Sequence, residues 1–448
     1  MTSVRAVWAA SALYAIVYGM LGWDRYATYH SGSDVGLFTQ TIASAFGGFA
    51  NTTEAGSHFT FHFSPILFML APLLLAAHSS LVLVGLQAIA GALAAPPLFL
   101  IARKRLPERV ALALAVIALL YPPLAGVVFA DFHENVLAPA LTLWLLWGLD
   151  ARRFALAALF LVLLLGVKED QATILGFAAL VGLAWYARKR DRAGMAFAAA
   201  GFAVSVAVFV GFFEFVRPLA GAHDVWGPTH FYTWSRIVDP RGSAPWWSIG
   251  RPAYFLEALV PLAFLPLGSP AFVLALPGFA EVLGSHESIT YTMGQHYAAI
   301  WIPYVLFAHA LALAGLHARS PRAAVGFVRT SLGLCVIVLL FASPTHWGHY
   351  LRVPSANDAA LSWLLAHFGD ASIGAPDEIY AHLGFDPNAS LGLERRPPLA
   401  IVDTRHTDSA LGNAMRVRLR AHDSAYRLFW HRDGIELYVR RYHGPISV

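Results

Sequence analysis

The chain has few charged residues and a single cysteine. Of its 448 residues only 13% are Asp, Glu, Lys or Arg, whereas soluble domains carry about 25%. Apolar side chains make up 57% of the sequence, so most of the chain has to lie away from water. The lone cysteine, Cys335, excludes an intramolecular disulfide framework.

Several binding motifs are also missing from the sequence. It contains no P-loop, no dinucleotide-binding fingerprint and no zinc-protease helix, which argues against an ATP-driven pump. The net charge of +4 is too small to indicate a nucleic-acid-binding surface. We therefore expect no nucleotide site and no nucleic-acid partner.

Long apolar runs indicate a polytopic membrane protein. A spanning helix needs about 20 mostly apolar residues, and on this measure the sequence predicts about eleven spans. They cover 6–23, 80–101, 110–126, 135–149, 154–167, 171–187, 194–213, 253–268, 270–284, 297–317 and 326–342. The shorter run 65–77, which two prolines interrupt, predicts a re-entrant or interfacial helix. The first run lacks a signal-peptide cleavage site and predicts an uncleaved span.

The basic residues predict an orientation for these spans. If Arg5 is cytoplasmic and the spans alternate, nearly every basic loop falls on the cytoplasmic side, as the positive-inside rule requires. These loops hold Arg103, Lys104, Arg105, Arg109, Arg152, Arg153, Arg188, Lys189, Arg190, Arg192, Arg319, Arg322 and Arg329. The outer side then holds 24–64, 127–134, 168–170, 214–252 and 285–296.

The tail differs in kind from the rest of the chain. Its segments Leu399–Asp403 and Gly434–Val439 predict strands, and Asp358–His367 predicts an amphipathic helix. The fold class expected is therefore mainly α, with a transmembrane domain at 1–343. A small soluble α/β domain, 344–448, should follow on the extracytoplasmic face.

The first outer loop, 24–64, carries two candidate sites. A carboxylate held beside apolar residues can act as a general base, and Asp34 is the best candidate; the alternative is that it caps the following helix. His58 and His62 are spaced i, i+4, which can place both rings on one helix face and bind a divalent metal. Hydrogen-bonded structure is the commoner role for such a pair.

Three more outer segments are rich in ionisable groups. Such groups are costly at membrane depth and tend to mark function. They comprise Asp131, His133 and Glu134; Lys168, Glu169 and Asp170; and Glu281, His286, Glu287, His296 and Tyr297. Lys168 could hold a lipid phosphate, or it could pair with a carboxylate and only close a hairpin. The segment with Asp131, His133 and Glu134 could equally be a solvated turn with a helix cap at Asn135. The aromatic-rich loop 223–236 suits sugar faces or an interfacial belt.

Four of these motifs resemble a bacterial membrane-protein family known as domain of unknown function 2079 (DUF2079). They are Asp34–Gln40, His58–Pro65, Asp131–Glu134 and Lys168–Asp170, and the tail segment Ile373–Leu383 is also similar. That family in turn resembles the C-superfamily of glycosyltransferases (GT-C). Those enzymes have many spans, a long first outer loop with a catalytic Asp, and polyprenyl-phosphate sugars as donors.

The resemblance implies a membrane glycosyltransferase acting on the outer face of the bacterial cytoplasmic membrane. Asp34 would correspond to the loop carboxylate of GT-C enzymes. This sequence has a single Asp there rather than a pair, so Glu54, Asp131 or Glu134 would supply a second carboxylate. The substrate-binding residues would be Lys168, Glu169, Asp170, His58, His62, His133, His296 and Tyr297.

Two other functions compete with this one. A transporter or flippase would line a path through the membrane midplane with ionisable residues, whereas here they sit at the ends of spans on one side. An envelope-assembly protein without catalysis would use the outer α/β tail alone, and substitution of Asp34 or Lys168 would then have no effect.

Overall fold

The computed structural model describes residues 2–222, 248–285, 287–345, 348, 350–368, 371–422 and 424–440. The predicted aromatic-rich loop 223–236 and His286 lie outside these residues. Most of the rest is helical, as the composition predicts. The helices up to the tail are α1 Thr2–Ala27, α2 Ser33–Ala43, α3 Ala71–Ala77, α4 Leu81–Ala92, α5 Ala95–Ala102, α6 Glu108–Leu119, α7 Pro122–Phe129, α8 Ala138–Asp150, α9 Phe154–Leu165, α10 Glu169–Arg188, α11 Arg192–Gly211, α12 Arg217–Leu219, α13 Gly250–Leu259, α14 Leu276–Gly284, α15 Ile302–Arg319 and α16 Pro321–Phe341.

Among the described residues, four helical segments are long and apolar enough to cross a membrane: Thr2–Ala27, Leu81–Ala102, Arg192–Leu219 and Pro321–Phe341. A fifth would be the pair α6 and α7, which bend by 41° where Pro122 and Pro123 begin the second helix. The apolar helical segments Phe154–Leu165 and Pro270–Gly284 are shorter, so the count of eleven spans stays a prediction.

One predicted span is wrong as a single helix. Within 253–268, α13 ends at Leu259 and short 3-10 turns follow. Pro261 and Pro266 each remove a backbone donor, and Ala263 and Phe264 have positive φ angles of 50° and 56°. Hydropathy alone does not register these breaks. The run 65–77 is likewise a 3-10 turn followed by the short α3.

Ion pairs between loops show that the basic loops share one end of the helix bundle. Lys104 and Arg105 pair with Asp150, the last residue of α8, and Arg152 pairs with Asp191, which follows α10. Both helices start at the opposite end, α8 just after Glu134 and α10 just after Lys168. The basic and acidic loops therefore occupy opposite ends, and we call the acidic end the outer end.

The tail forms a five-stranded mixed sheet, as expected for a small α/β unit. Its strands are β3 Ile373–Ala375, β4 Ser390–Leu391, β5 Leu399–Asp403, β6 Arg427–Arg432 and β7 Ile435–Val439, in the order β4-β3-β5-β7-β6. Its helices are α17 Ala356–Phe368, α18 Asp377–Tyr380 and α19 Ala410–Arg420. The two predicted strands and the predicted helix are confirmed. A small hairpin of β1 Ala50–Asn51 and β2 Gly56–Ser57 lies in the first outer loop.

The sheet unit rests directly on α2. The Cα of Gly36 approaches the Tyr380 carbonyl so closely that an added Cβ would overlap that oxygen and lie 2.9 Å from the ring carbon Cδ1. Gly384 approaches Thr39 of the same helix in a similar way. Only glycine permits such a backbone approach, so this contact fixes the distance between α2 and α18.

We expect Gly36→Ala to destabilise the protein because the added methyl overlaps backbone rather than a flexible side chain. Overpacking of this kind costs about 1–3 kcal/mol. The measurement is the thermal unfolding midpoint in detergent, with Gly85→Ala in α4 as the control. No atom lies within 4 Å of a Cβ added at Gly85, so that variant should keep the wild-type midpoint. Equal midpoints for both variants would contradict the contact.

Candidate functional site

Polar residues from separate outer segments meet around the ring of Phe38 in α2. The ring centroid of Phe38 lies 5.8 Å from His58, 5.5 Å from Phe132 and 5.0 Å from His133, with each ring approaching edge to face. The His58 and His62 centroids are 5.6 Å apart. The first outer loop and the segment 131–134, which are far apart in sequence, therefore form one site.

Asp34 lies in the first turn of α2, one turn before Phe38 and on nearly the same face. The alternative that Asp34 caps this helix is wrong, because the N-cap is Gly32 and no side chain caps the helix end. Asp34 is half-buried and makes no side-chain hydrogen bond with the residues that the structure describes. Its carboxylate is free to take part in chemistry.

The surroundings of Asp34 disfavour its charged form. Burial, together with the negative charges of Asp131, Glu134 and Asp377, raises the pKa of Asp34 to about 7, against the opposing effect of Lys168. A base with a pKa close to the working pH is well suited to accept a proton during a reaction. Asp34 is the only carboxylate that we assign this role.

Asp131 has a different environment from Asp34. Its Oδ2 forms an ion pair with Arg25 at 3.2 Å and accepts a hydrogen bond of 2.8 Å from the Gly32 backbone N–H. Arg25 also donates to the carbonyls of His30 and Phe129, both at 2.7 Å. Asp131 therefore ties the start of α2 to α1 and α7, and we infer that this predicted catalytic residue positions the site instead.

Glu134 is fully buried, and neither carboxylate oxygen has a hydrogen-bond partner among the described residues. His133 Nδ1 lies 3.1 Å from Oε2, but this nitrogen accepts a long hydrogen bond from the Asn135 N–H and so has no proton to give. A buried ionised carboxylate without a partner is costly. Lys168 and His58 both interact electrostatically with Glu134 and can offset its charge.

Lys168 precedes α10 at its N-cap position and is 7% exposed. Burial opposes its charge, but Glu134, Asp170 and Glu169 together raise the pKa of the Lys168 ammonium above its ordinary value. No carboxylate in the described parts of the chain pairs with it directly. The ion pair that the hairpin-closing alternative requires is therefore not seen among these residues. The ammonium stays charged and available to an anion.

Two glutamates hold the two histidines of the first loop. His62 Nδ1 donates to Glu169 at 2.8 Å, and the other oxygen of Glu169 accepts from the Phe63 N–H at 2.8 Å. His58 Nδ1 donates to Glu54 at 2.8 Å. Burial lowers the pKa of His58, but Glu54 outweighs it and raises that pKa above its usual value. The Nε2 atom of His58 is buried and has no hydrogen-bond partner among the residues described.

This arrangement does not suit a metal ion. Both Nδ1 atoms are engaged by carboxylates, so only the two Nε2 atoms could bind a metal, and two ligands do not make a site. In the described ranges, no group of three or more His, Cys, Asp or Glu side chains could hold a metal. The predicted metal role of His58 and His62 is not supported by these residues, and we derive no step through a metal.

His133 and His296 form a stacked pair at one side of the site. Their ring centroids are 3.5 Å apart with an interplanar angle of 11°, and Tyr297 lies 4.1 Å from His296. Burial, and the positive charge of Lys168, hold the pKa values of both histidines well below their usual range. The stack is therefore neutral, and it offers polar edges that suit hydroxyl groups.

Asp170 connects two of the segments that form the site. It accepts a hydrogen bond from Gln171 at 3.1 Å and a longer one from Asn135 at 3.5 Å. This connection links the segment 131–135 to the start of α10, so the predicted residues of both segments come together. Asn135 is thus a bridge to α10 rather than the cap of its own segment, a position that His133 occupies.

Sequence reasoning missed three contributors to the site. Arg25 was assigned no role, and the outer-domain residues Asp377 and Tyr380 lay far away in the sequence. The similarity of the segment Ile373–Leu383 to a family pattern was the one signal that pointed to them. In the structure Asp377 acts electrostatically on Asp34, and the Tyr380 hydroxyl donates to Gln40 at 3.0 Å.

Comparison with known proteins agrees with this architecture. The sequence profile of a family described as "Predicted membrane protein (DUF2079)" matches residues 25–358, which is more than half of the chain. The structure is similar to that of ArnT from Cupriavidus metallidurans, solved bound to undecaprenyl phosphate. The TM-score is 0.56 at 13% sequence identity, over 97% of this chain and 98% of ArnT. The predicted fold class is confirmed: a mainly α, GT-C-like protein with a small C-terminal sheet.

A more distant likeness is to the oligosaccharyltransferase AglB from Archaeoglobus fulgidus, in complex with an inhibitory peptide and a dolichol-phosphate. It has a TM-score of 0.47 and 14% identity over 89% of this chain and 69% of AglB. No curated protein sequence matches this chain.

Proposed function

The chain belongs to the DUF2079 family of predicted membrane proteins, and we propose that it is a glycosyltransferase. It would transfer a sugar from a polyprenyl-phosphate-linked donor to an envelope acceptor. The observation that carries the proposal is that Asp34, Lys168 and Glu134 lie within electrostatic range of one another at the outer end. A carboxylate poised to take a proton and an ammonium free to bind an anion are the two groups that this reaction needs.

The membrane fold supports a lipid-linked donor. ArnT, which shares the fold, was solved with undecaprenyl phosphate, a polyprenyl phosphate. In this chain Lys168 offers a compact positive charge at the outer end of α10, at the entrance to the apolar bundle. A phosphate held there would leave its polyprenyl tail among apolar helices.

The proposed step is a displacement at the anomeric carbon of the sugar. The acceptor hydroxyl oxygen attacks this carbon, and its proton passes to Asp34. The bond from the anomeric carbon to the phosphate oxygen breaks, and polyprenyl phosphate leaves with the electron pair. Lys168 stabilises the negative charge on the leaving phosphate, which grows as the bond breaks.

The other residues orient these two groups. Glu134 keeps Lys168 charged without pairing with it directly. The neutral stack of His133 and His296, with Tyr297, offers polar edges to the sugar hydroxyls. Glu169, held by His62 and the Phe63 N–H, fixes the start of α10 and with it Lys168.

The proposal includes a location for the reaction. The basic loops would face the cytoplasm, so the outer end and the sheet unit would be extracytoplasmic, with the N-terminus inside. Cysteine-accessibility labelling tests this orientation, because Cys335 is buried and gives a low background. A cysteine introduced at Arg190 should react only from the cytoplasmic side, and one at Arg432 only from outside.

The test of function is sugar transfer by the purified protein in nanodiscs. The donors are radiolabelled lipid-linked sugars extracted from cells that lack the protein, together with the envelope fraction of those cells as acceptor. We expect the label to move from the lipid to an envelope product while polyprenyl phosphate is released. If the donor keeps its sugar but crosses the bilayer of proteoliposomes, the protein is instead a flippase.

The rate of transfer should rise with pH through about 7, the pKa of Asp34. Below that pH the carboxyl is protonated and cannot accept the acceptor's proton, and above it the base is available. Lys168, whose pKa is raised, stays charged across this range and adds no inflection. The measurement is the pH profile of kcat/KM, which reports the groups of the substrate-free protein, and a residual rate in Asp34→Asn should lack the inflection near 7. The same inflection in that variant would show that another group is responsible.

A further inference from the structure

The face of α2 that points away from the site packs against the sheet unit of the tail. Helical geometry places Gly36 and Gln40 about 200–240° around the helix from Asp34, whereas Phe38 is only about 40° away. Phe38 meets the site rings, and Gly36 and Gln40 meet Tyr380 and its neighbours. The helix thus presents one face to the chemistry and the opposite face to the tail.

Gln40 is the centre of this contact and is buried. Its Oε1 accepts hydrogen bonds from the Tyr380 hydroxyl at 3.0 Å and from the Thr52 N–H at 2.8 Å. Its Nε2 donates to the carbonyls of Asp386 at 2.6 Å and Ala389 at 3.2 Å. Both ends of one amide are therefore saturated, mostly by groups of the tail. Few side-chain contacts define a helix position so completely.

The helix needs this support because it is short. At 11 residues α2 is below the length at which an isolated helix is stable in water, about 12–15 residues. At its start it is held by the Asp131 bond to Gly32, and along its far face by Tyr380 and Gly36. Resting on the glycosyltransferase function proposed above, we infer that the tail domain positions Asp34, with Tyr380 and Gln40 as positioning residues.

Asp377, three residues before Tyr380, extends this role. Five groups among the described residues interact electrostatically with Asp34. They are Asp131 and Glu134 from the loop before α8, Lys168 from the start of α10, Tyr297 beside His296, and Asp377 from α18. Asp377 is the one that belongs to the tail domain. The way the tail docks on α2 therefore affects both the place of the Asp34 carboxylate and its readiness to take a proton.

The test uses Tyr380→Phe, with Tyr438→Phe as the matched control. Like Tyr380, Tyr438 is a buried tyrosine of the tail. It lies in β7, and its hydroxyl donates to Glu436 of the same strand. Loss of the Tyr380 hydroxyl should lower kcat by between about 10- and 100-fold, as expected for a misplaced reacting group, with an unchanged KM for the donor. The control should retain wild-type kcat. Equal kcat values for Tyr380→Phe and the control would overturn the proposal.

A second variant gives a readout that a purely structural role would not move. Asp377→Asn removes a negative charge near Asp34, so the pH midpoint of Asp34 should fall. The midpoint can be followed without transfer, as the infrared carboxyl band that Asp34→Asn abolishes. If the pH midpoint of this band is lower in Asp377→Asn but the wild type transfers no sugar, the positioning role is supported and the proposed function is refuted. If transfer depends on Asp34, but the midpoint is unchanged in Asp377→Asn and Tyr380→Phe is fully active, the proposed function is supported and the positioning role is refuted.

Discussion

Replacing Asp34 by Asn is expected to lower the rate of sugar transfer by about 10²–10⁴, the usual contribution of a general base. The amide keeps the shape of the side chain but cannot accept the proton of the acceptor hydroxyl. Donor binding should be unchanged, because the phosphate contacts belong to Lys168. The effect should therefore appear in kcat, with the KM for the donor close to that of the wild type.

The same variant should fold at least as well as the wild type. Asp34 makes no hydrogen bond within the described residues and lies near the like charges of Asp131, Glu134 and Asp377. Removing its charge relieves this repulsion, so the unfolding midpoint should stay the same or rise. Asp131→Asn is the contrasting variant, since it loses the ion pair with Arg25 and should lower the midpoint. Full transfer activity in a well-folded Asp34→Asn protein would remove Asp34 from the mechanism.

Replacing Lys168 by Met is expected to lower kcat/KM for the donor by roughly 10²–10³, the loss seen when one group that stabilises developing negative charge is removed. The methyl thioether keeps most of the side-chain volume but cannot hold the phosphate or its growing charge. Lys168→Arg keeps the charge and should retain part of the activity. The measurement is steady-state transfer over a range of donor concentrations.

Lys168 also balances buried carboxylates, so its removal could disturb folding as well as chemistry. The double variant Lys168→Met with Glu134→Gln separates the two effects, because it removes the negative charge that Lys168 offsets. We expect this double variant to recover the unfolding midpoint and to remain inactive. Recovery of transfer along with stability would show that Lys168 acts through folding and not through the phosphate.

Sequence patterns located the elements that depend on local composition. Leu399–Asp403 is a strand as predicted, because its run of apolar residues favours a buried strand. All five of its residues are buried in the sheet. The charged triplet Lys168–Asp170 marks the start of α10, because acidic residues suit the first turn of a helix. Hydropathy failed at 253–268, where Pro261 and Pro266 break the helix despite the apolar side chains.

Patterns could not supply the partners of the site residues. Arg25 and Asp131 are 106 residues apart in the sequence, and Tyr380 and Gln40 are 340 apart. Neither pair carries a local signature, because each contact depends on how the helices and the tail domain pack. The capping interpretation of Asp34 failed for a related reason. Asp is a favoured N-cap residue, but the N-cap of α2 is Gly32, two residues before Asp34.

The most direct test of the account is a single proteoliposome experiment that follows both transfer and translocation. Labelled lipid-linked sugar is placed in the membrane with acceptor outside, and the label is traced to product, to intact donor or to the opposite leaflet. The account predicts labelled product and free polyprenyl phosphate with the wild type, and intact donor with Asp34→Asn. Donor that crosses the bilayer unchanged, equally well with both proteins, would contradict it.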